Sequence, residues 1–201
     1  MALLPGKVSL LDVSSGRDLS AKIVELTPGL ARARIDRVWW NDLDATSTKN
    51  CPEDRDWKWA DIAAQAQGCR DFICVGVSVA DTDEICGAML YQVGAASFFN
   101  PANLAIEVLL LATKPTSRGL LLANLGYRGV GSALLLQAVA HSYGLGLKGR
   151  TVLRSIPAEA TIQFYKKRGF DSHSTEPDGK IKMELKPEHA QSWLRNKGLA
   201  L

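Results

Sequence analysis

Two glycines flank a single valine in Tyr127-Arg128-Gly129-Val130-Gly131-Ser132-Ala133-Leu134-Leu135, with an arginine directly before them and an apolar run of helical character after. A glycine-rich turn that opens a helix aims several unpaired backbone N–H groups at one point, and the helix dipole adds positive potential there. Glycine also lets the backbone approach a ligand with no side chain in the way. The chemistry that suits this arrangement is anion binding, of a phosphate above all. A tight loop before an ordinary core helix has the same sequence, so the pattern gains weight only from what accompanies it. A second residue of chemical interest is Glu107, alone among apolar neighbours in Ala105-Ile106-Glu107-Val108-Leu109-Leu110-Leu111-Ala112-Thr113. A carboxylate in so apolar a strand is costly to bury unless it is paired or faces a cleft. Desolvation would raise its proton affinity towards that of a useful base. A solvent-facing glutamate, or one paired with an arginine, is the alternative. The third is the segment Ile162-Gln163-Phe164-Tyr165-Lys166-Lys167-Arg168-Gly169-Phe170, which reads as the end of an amphipathic helix, a glycine stop and a strand start.

Taken together, the glycine loop and the Ile162–Phe170 segment resemble the GNAT family of acyl-CoA-dependent N-acetyltransferases, over about Phe72 to Leu185. In that family an Arg/Gln-x-x-Gly-x-Gly/Ala loop grips the pyrophosphate of coenzyme A, and a Phe-Tyr-x-x-x-Gly-Phe segment closes the site. Two registers fit the loop. Arg128 opens the pattern in one; in the other Gly129 and Gly131 are the paired glycines and Gly126 stands where the family has Arg or Gln. The resemblance implies acetyl-CoA as cosubstrate, no metal, and direct attack by a primary amine within a ternary complex. Arg128 and the amides of Gly129, Val130, Gly131, Ser132 and Ala133 would hold the pyrophosphate. Backbone groups of Leu111, Ala112 and Thr113 would line the pantetheine arm, and Ser155 would face the same wedge, unless it is simply a serine at a strand end. A free alkylamine has a pKa near ~10.4, so it must lose a proton before it attacks. The strand around Glu107 is similar to that of the histone acetyltransferase branch, where the matching glutamate takes that proton. Tyr165 occupies the place of the family tyrosine whose hydroxyl serves the departing sulfur; an amphipathic tyrosine with its hydroxyl in water is the alternative. The asparagine common seven residues before that tyrosine is Ala158 here.

Certain elements must position these residues. Val8–Val13 and residues 22–26 read as a hairpin about Ser14-Ser15-Gly16, and residues 30–40 as a helix with Leu30, Ala33, Ile35 and Val38 inward. Residues 41–56 read as a loop and 57–67 as a helix, capped by Asp54 or Asp56 and stopped by Gly68. Strands follow at 72–80, 84–93 and 104–113, a helix at 129–143, a strand at 151–155, a helix at 157–168, a hairpin of 170–174 with 180–185, and a terminal helix at 187–196. This order predicts an α+β fold: a mixed, mostly antiparallel central sheet flanked by helices, with one parallel pair supplied by the crossover from 104–113 to 151–155. The GNAT fold that the resemblance implies splays that pair apart. One domain over residues 1–201 is expected, with residues 1–70 forming the acceptor wall and 114–126 an insertion before the phosphate loop.

The 201 residues are 46% hydrophobic, ample for one core, and the formal charge of +3 argues against nucleic-acid binding by bulk electrostatics. Cys51, Cys69, Cys74 and Cys86 have neither C-x-x-C spacing nor a histidine at metal distance, which points to free thiols, no metal site and a reducing cytoplasm. No signal peptide and no membrane span is expected. Trp39, Trp40, Trp57 and Trp59 stand among carboxylates, a composition suited either to a cationic amine or to tryptophans packed inward beside solvated acids. The expected partner is therefore a small-molecule or peptide amine, and a homodimer is compatible with the reading. Two alternatives stay open: a non-catalytic acyl-CoA-binding or interaction module, and a toxin-type acetyltransferase acting on aminoacyl-tRNA.

Overall fold

Strand β1 (Val8–Asp12) turns back into β2 (Arg17–Glu25) through a four-residue turn that Asp12 organises, accepting from the Ser14 N–H at 2.9 Å, with Gly16 at φ +68°. The computed structural model describes residues 8–41, 53–80, 82–118 and 126–199. They divide into two compact units, one built from 8–90 and 110–134, the other from 91–109 and 135–199.

In the first unit, β2 pairs antiparallel with β3 (Phe72–Val79), Ala21 opposite Val79 and Glu25 opposite Val75. The strand order is β6-β1-β2-β3-β4, with β4 at Ile85–Ala96 and β6 at Tyr127–Arg128. The last was not expected from sequence: two residues are too short to show a period, and their pairing with Leu11 and Asp12 is tertiary. The expected helix at 30–40 forms differently. It begins as α1 (Pro28–Ala31) and continues as a π-helical segment, Arg32–Asp36. Ala31, Ile35 and Trp39, spaced by four, are the buried face, whereas Ala33 and Val38 point outward. Residues four apart lie on one face of a helical segment, and the larger Trp39 takes the inward place expected of Val38.

Helix α2 (Trp59–Gln67) has Lys58 at its N-cap with no side-chain cap bond, and neither Asp54 nor Asp56 caps it. Asp36 does so from the preceding segment, its two carboxylate oxygens accepting from the Trp59 and Ala60 N–H groups at 2.8 and 3.0 Å. A distant carboxylate thus neutralises the orphan donors that a local one was expected to satisfy. Gly68 ends the helix as expected. Trp39 and Trp59 are 1% and 2% exposed and anchor a core with Leu26, Ile35, Ala63 and Ile85, so the inward reading holds for those two tryptophans. The Trp39 indole N–H donates to the Ile85 carbonyl at 2.8 Å, which satisfies the one polar atom that its burial carries inside.

In the second unit the strand order is β5-β7-β9-β8, with β5 at Leu104–Thr113, β7 at Thr151–Ser155, β8 at Phe170–Thr175 and β9 at Ile181–Leu185. The chain passes from one unit into the other within β4, within β5 and within α3 (Val130–Gly144). β5 and β7 are parallel, as the crossover requires. Their ladder has three rungs, Ile106–Thr151, Glu107–Val152 and Val108–Leu153, and stops there although β5 runs on. β7 stays paired with β9 along its whole length, Thr151 opposite Leu185 and Ser155 opposite Ile181. Helices α4 (Glu159–Lys166) and α5 (Pro187–Asn196) complete the unit. Among the described residues no helix is long and apolar enough to cross a membrane, and no group of His, Cys, Asp or Glu is placed to hold a metal. Cys74 and Cys86 are buried free thiols, and burial pushes both up to about 12.

Candidate active site

The glycine loop lies in the first unit, and the sequence builds it from both sides. Upstream, Gly126 adopts φ +82°, and its carbonyl accepts from the Val13 N–H at 3.0 Å. The Tyr127 N–H donates to Ser117 Oγ at 3.0 Å, and the Tyr127 hydroxyl donates to Glu84 Oε2 at 2.9 Å. Glu84 is itself bridged by Lys114 Nζ at 2.9 Å. Burial first, then the adjacent Glu84 carboxylate, drives the Tyr127 phenol well above its ordinary range, so it remains a hydrogen-bond donor. Downstream, Gly129 at φ +97° turns the chain into α3, whose first i→i−4 bond runs from the Ala133 N–H to the Gly129 carbonyl at 2.9 Å. The amides before Ala133 therefore precede the helical ladder, as an anion site needs.

Arg128 and Gly129 are exposed, and Arg128 has no ion pair among the described residues. Val130 points inward instead, filling the space that Gly87 leaves: a Cβ on Gly87 would lie 2.3 Å from Val130 Cγ1. Gly131 is buried and Ser132 half-buried, and both precede the ladder; Ala133 is buried with its N–H on the Gly129 carbonyl, so the donor expected of it is already taken. On β5, Leu111 is half-buried and Ala112 buried. The Thr113 carbonyl is engaged, accepting from Arg118 Nε at 2.9 Å. The same guanidinium forks onto the Asp54 carboxylate and lies 5.7 Å from the Trp40 ring centroid. Arg118 thus fastens the start of the 114–126 segment. Residues 119–125 of the expected insertion lie outside the described residues.

The second unit holds the titratable candidates. Tyr165 is 9% exposed, its ring set edge-on to Phe164 and Phe170 with centroids 5.1 and 5.7 Å away. Its hydroxyl has no hydrogen-bond partner among the described residues and yet is not sealed in, since no buried side-chain polar atom is left unpaired. Burial pushes the phenol up to about 12, so at neutral pH it carries its proton. Gly169, at φ +86°, is required by packing: a Cβ there would sit 3.0 Å from His189 Cβ, while His189 Nδ1–H donates to the Gly169 carbonyl at 2.9 Å. Ala158 stands at the N-cap of α4 and contributes no side-chain bond. Ser155 is buried, and its hydroxyl is spent on the Ile156 carbonyl at 2.9 Å, which matches the strand-end alternative better than a ligand contact.

Glu107 is not the bare, desolvated carboxylate that its apolar surroundings suggest. Parallel pairing sets it beside Val152, and Arg154, two residues on along β7, reaches its carboxylate in a close ion pair. Arg154 also donates to Glu176 Oε1 at 3.0 Å and lies 5.4 Å from the Phe98 ring centroid. An adjacent guanidinium favours the ionised carboxylate. The register of β5 on β7 creates this pair, and no sequence window contains both residues.

Sequence reading assigned no role to Glu184, which is 2% exposed. Its carboxylate accepts from Ser97 Oγ at 2.8 and 3.0 Å and from the Phe98 and Phe99 N–H groups at 2.7 and 3.2 Å, with Arg150 Nε 3.7 Å away. The available signal was an acid beside buried Met183 and Leu185 in a short strand. Glu184→Ala leaves several donors facing a void, and a loss of about 3 kcal/mol is expected in urea unfolding, with Glu184→Gln milder. Near it opens a cleft of about 690 Å³ lined by Phe99, Lys166, Phe170, Asp171, Lys186 and His189. Lys186 Nζ bonds Asp171 at 2.9 Å and stands 4.6 Å from the Phe99 ring centroid.

No protein-family model and no curated protein matches the chain. Solved structures do. The chain is similar to the PaiA N-acetyltransferase from Thermoplasma acidophilum in complex with coenzyme A, at 18% identity over 84% of this chain and 99% of that one, TM-score 0.52. It is similar to the GNAT domain of S. lividans PAT, at 16% identity over 89% and 95%, TM-score 0.55. It is also similar to a mutant AtaT toxin bound to the C-terminus of the antitoxin AtaR and acetyl-CoA, at 14% identity over 88% and 98%, TM-score 0.55. What they share with this chain is the architecture: it has the GNAT fold, with its mixed sheet and its parallel β5–β7 pair.

Proposed function

We propose that this protein is an acetyltransferase that moves the acetyl group of acetyl-CoA to a primary amine by direct attack. The observation that carries the reading is the loop at the front of α3: an exposed arginine, a glycine at φ +97° and helix-leading amides. That donor set fits a diphosphate, through charge-assisted contact from Arg128 and main-chain contact from Gly129, Val130, Gly131 and Ser132, the Ala133 N–H being spent on the Gly129 carbonyl. The amides of Leu111 and Ala112 serve the pantetheine arm. The Thr113 carbonyl is already taken by Arg118 and is the weaker member of that trio. Tyr165, protonated at neutral pH and with its hydroxyl unpartnered among the described residues, supplies a proton to the departing thiolate. Glu107, ion-paired with Arg154, accepts the proton of the amine.

Mixing the protein with acetyl-CoA and a panel of amines (polyamines, amino acids, peptides with free N-termini or lysines) and following free thiol is the direct test. Amine-dependent release of coenzyme A is expected for at least one class. The Glu107–Arg154 pair favours one second reading, an acyl-CoA-binding module without turnover, and binding without release across the whole panel would support it. The likeness to an antitoxin-bound toxin adds a variant of the first reading, a toxin acting on aminoacyl-tRNA, for which growth arrest on expression is the readout.

A further inference from the structure

We propose that Arg168 is a positioning residue for Tyr165: clamped flat on Phe164 in the turn that ends α4, its fixed positive charge eases the phenol's loss of a proton as the thiolate leaves. The proposal rests on the reading of Tyr165 as the proton donor. The geometry is specific. The Arg168 guanidinium lies 3.6 Å from the Phe164 ring centroid and donates to the Phe164 carbonyl, while the Arg168 backbone N–H donates to the Tyr165 carbonyl at 2.9 Å. Phe164 is in turn edge-on to Tyr165, so the cation is held by the same aromatic stack that holds the phenol. A guanidinium on an aromatic face loses little freedom when it acts, because its plane is already fixed.

The chemistry calls for such a group. When the carbon–sulfur bond breaks, its electron pair goes to sulfur, and the Tyr165 O–H proton transfers to that sulfur. A phenolate remains until water reprotonates it. Burial opposes the phenolate, and among the described residues Arg168 is the one charged group that offsets it. Lys166 and Lys167 in the same stretch, Asp171 on β8, Lys186 before α5 and His189 on it are the titratable groups of the neighbouring cleft and turn; Lys186 is spent on Asp171 and His189 on the Gly169 carbonyl, whereas Arg168 is the group stacked on Phe164. Burial lowers the proton affinity of Arg168, but a guanidinium starts so high that it stays charged at neutral pH.

The test is direct titration of the phenol. A fluorinated tyrosine at position 165 lowers the transition into an accessible pH range, and fluorine NMR of the full chain follows it. Arg168→Met is expected to move that transition upward by about half a pH unit to one unit. Arg168→Gln, which keeps a flat hydrogen-bonding group over Phe164, is expected to do the same, and Arg168→Lys to restore most of the original position. Where turnover is measurable, the alkaline limb of kcat should shift with the phenol. An unmoved transition in both Arg168→Met and Arg168→Gln overturns the proposal. The titration needs no acceptor, so absence of acetyl transfer across the amine panel counts against the enzymatic reading and is recorded separately.

Discussion

Replacing Gly126 with alanine is expected to weaken coenzyme A binding at least ~10-fold and to lower stability by about 2–4 kcal/mol. Two independent penalties meet at this residue. Its φ of +82° is one that L side chains rarely adopt. A Cβ there would lie 2.5 Å from the Thr116 carbonyl oxygen and 2.7 Å from both the N and the Cα of Ser117. These are backbone atoms, so no side-chain rotation relieves the overlap. Relief requires the Tyr127–Gly129 stretch to move, which breaks the Val13–Gly126 and Ser117–Tyr127 hydrogen bonds and carries the α3 amides away from where they point. Calorimetric titration of coenzyme A and urea unfolding measure the two effects. Gly29→Ala is the control, since its Cβ would meet nothing within 4 Å. An alanine variant that binds and unfolds like wild type would show that the loop does not depend on this turn. The same geometry bears on the two registers of the motif. No side chain fits at 126, so the family's Arg or Gln has no counterpart there, and Arg128 is the guanidinium the loop presents.

Tyr165→Phe is expected to lower kcat by about 100-fold or more while changing the KM for acetyl-CoA only a few-fold. The ring is packed edge-on between Phe164 and Phe170, and phenylalanine keeps those contacts. The hydroxyl holds no partner among the described residues, so its removal should leave the thermal unfolding midpoint unchanged. This separates the chemical role from a structural one. A variant of unchanged kcat would take Tyr165 out of the reaction and leave the fold argument untouched.

The elements legible in the sequence were those with a strong local period or clear punctuation. Strands β5 and β7 and helix α5 fall on their expected bounds, and Gly68 and Gly169 stop the chain where glycine stops were read. What was not legible depends on contacts between distant segments. Asp36 capping α2 joins residues more than twenty positions apart. The Glu107–Arg154 pair exists because a parallel register brings two strands together, so the low solvation expected of Glu107 was offset by a charge no window could contain. Glu184 read as one more strand residue, although its carboxylate organises the Ser97–Phe99 turn. Near α1 the buried face runs through Ala31, Ile35 and Trp39, and which of the neighbouring Val38 and Trp39 turns inward was decided by the core that Trp39 joins with Trp59. The glycine loop was legible as a pattern, while its fastening by Glu84, Lys114 and Ser117 was not.

The central claim is that main-chain donors at the front of α3 cradle a diphosphate, and titration of coenzyme A against pantetheine in the calorimeter tests it most directly. Pantetheine carries the same thiol arm without the nucleotide diphosphate. The account predicts saturable binding of coenzyme A and at least ~100-fold weaker binding of pantetheine, the difference falling sharply in Arg128→Ala. No heat with coenzyme A, or equal affinity for the two compounds, would contradict it.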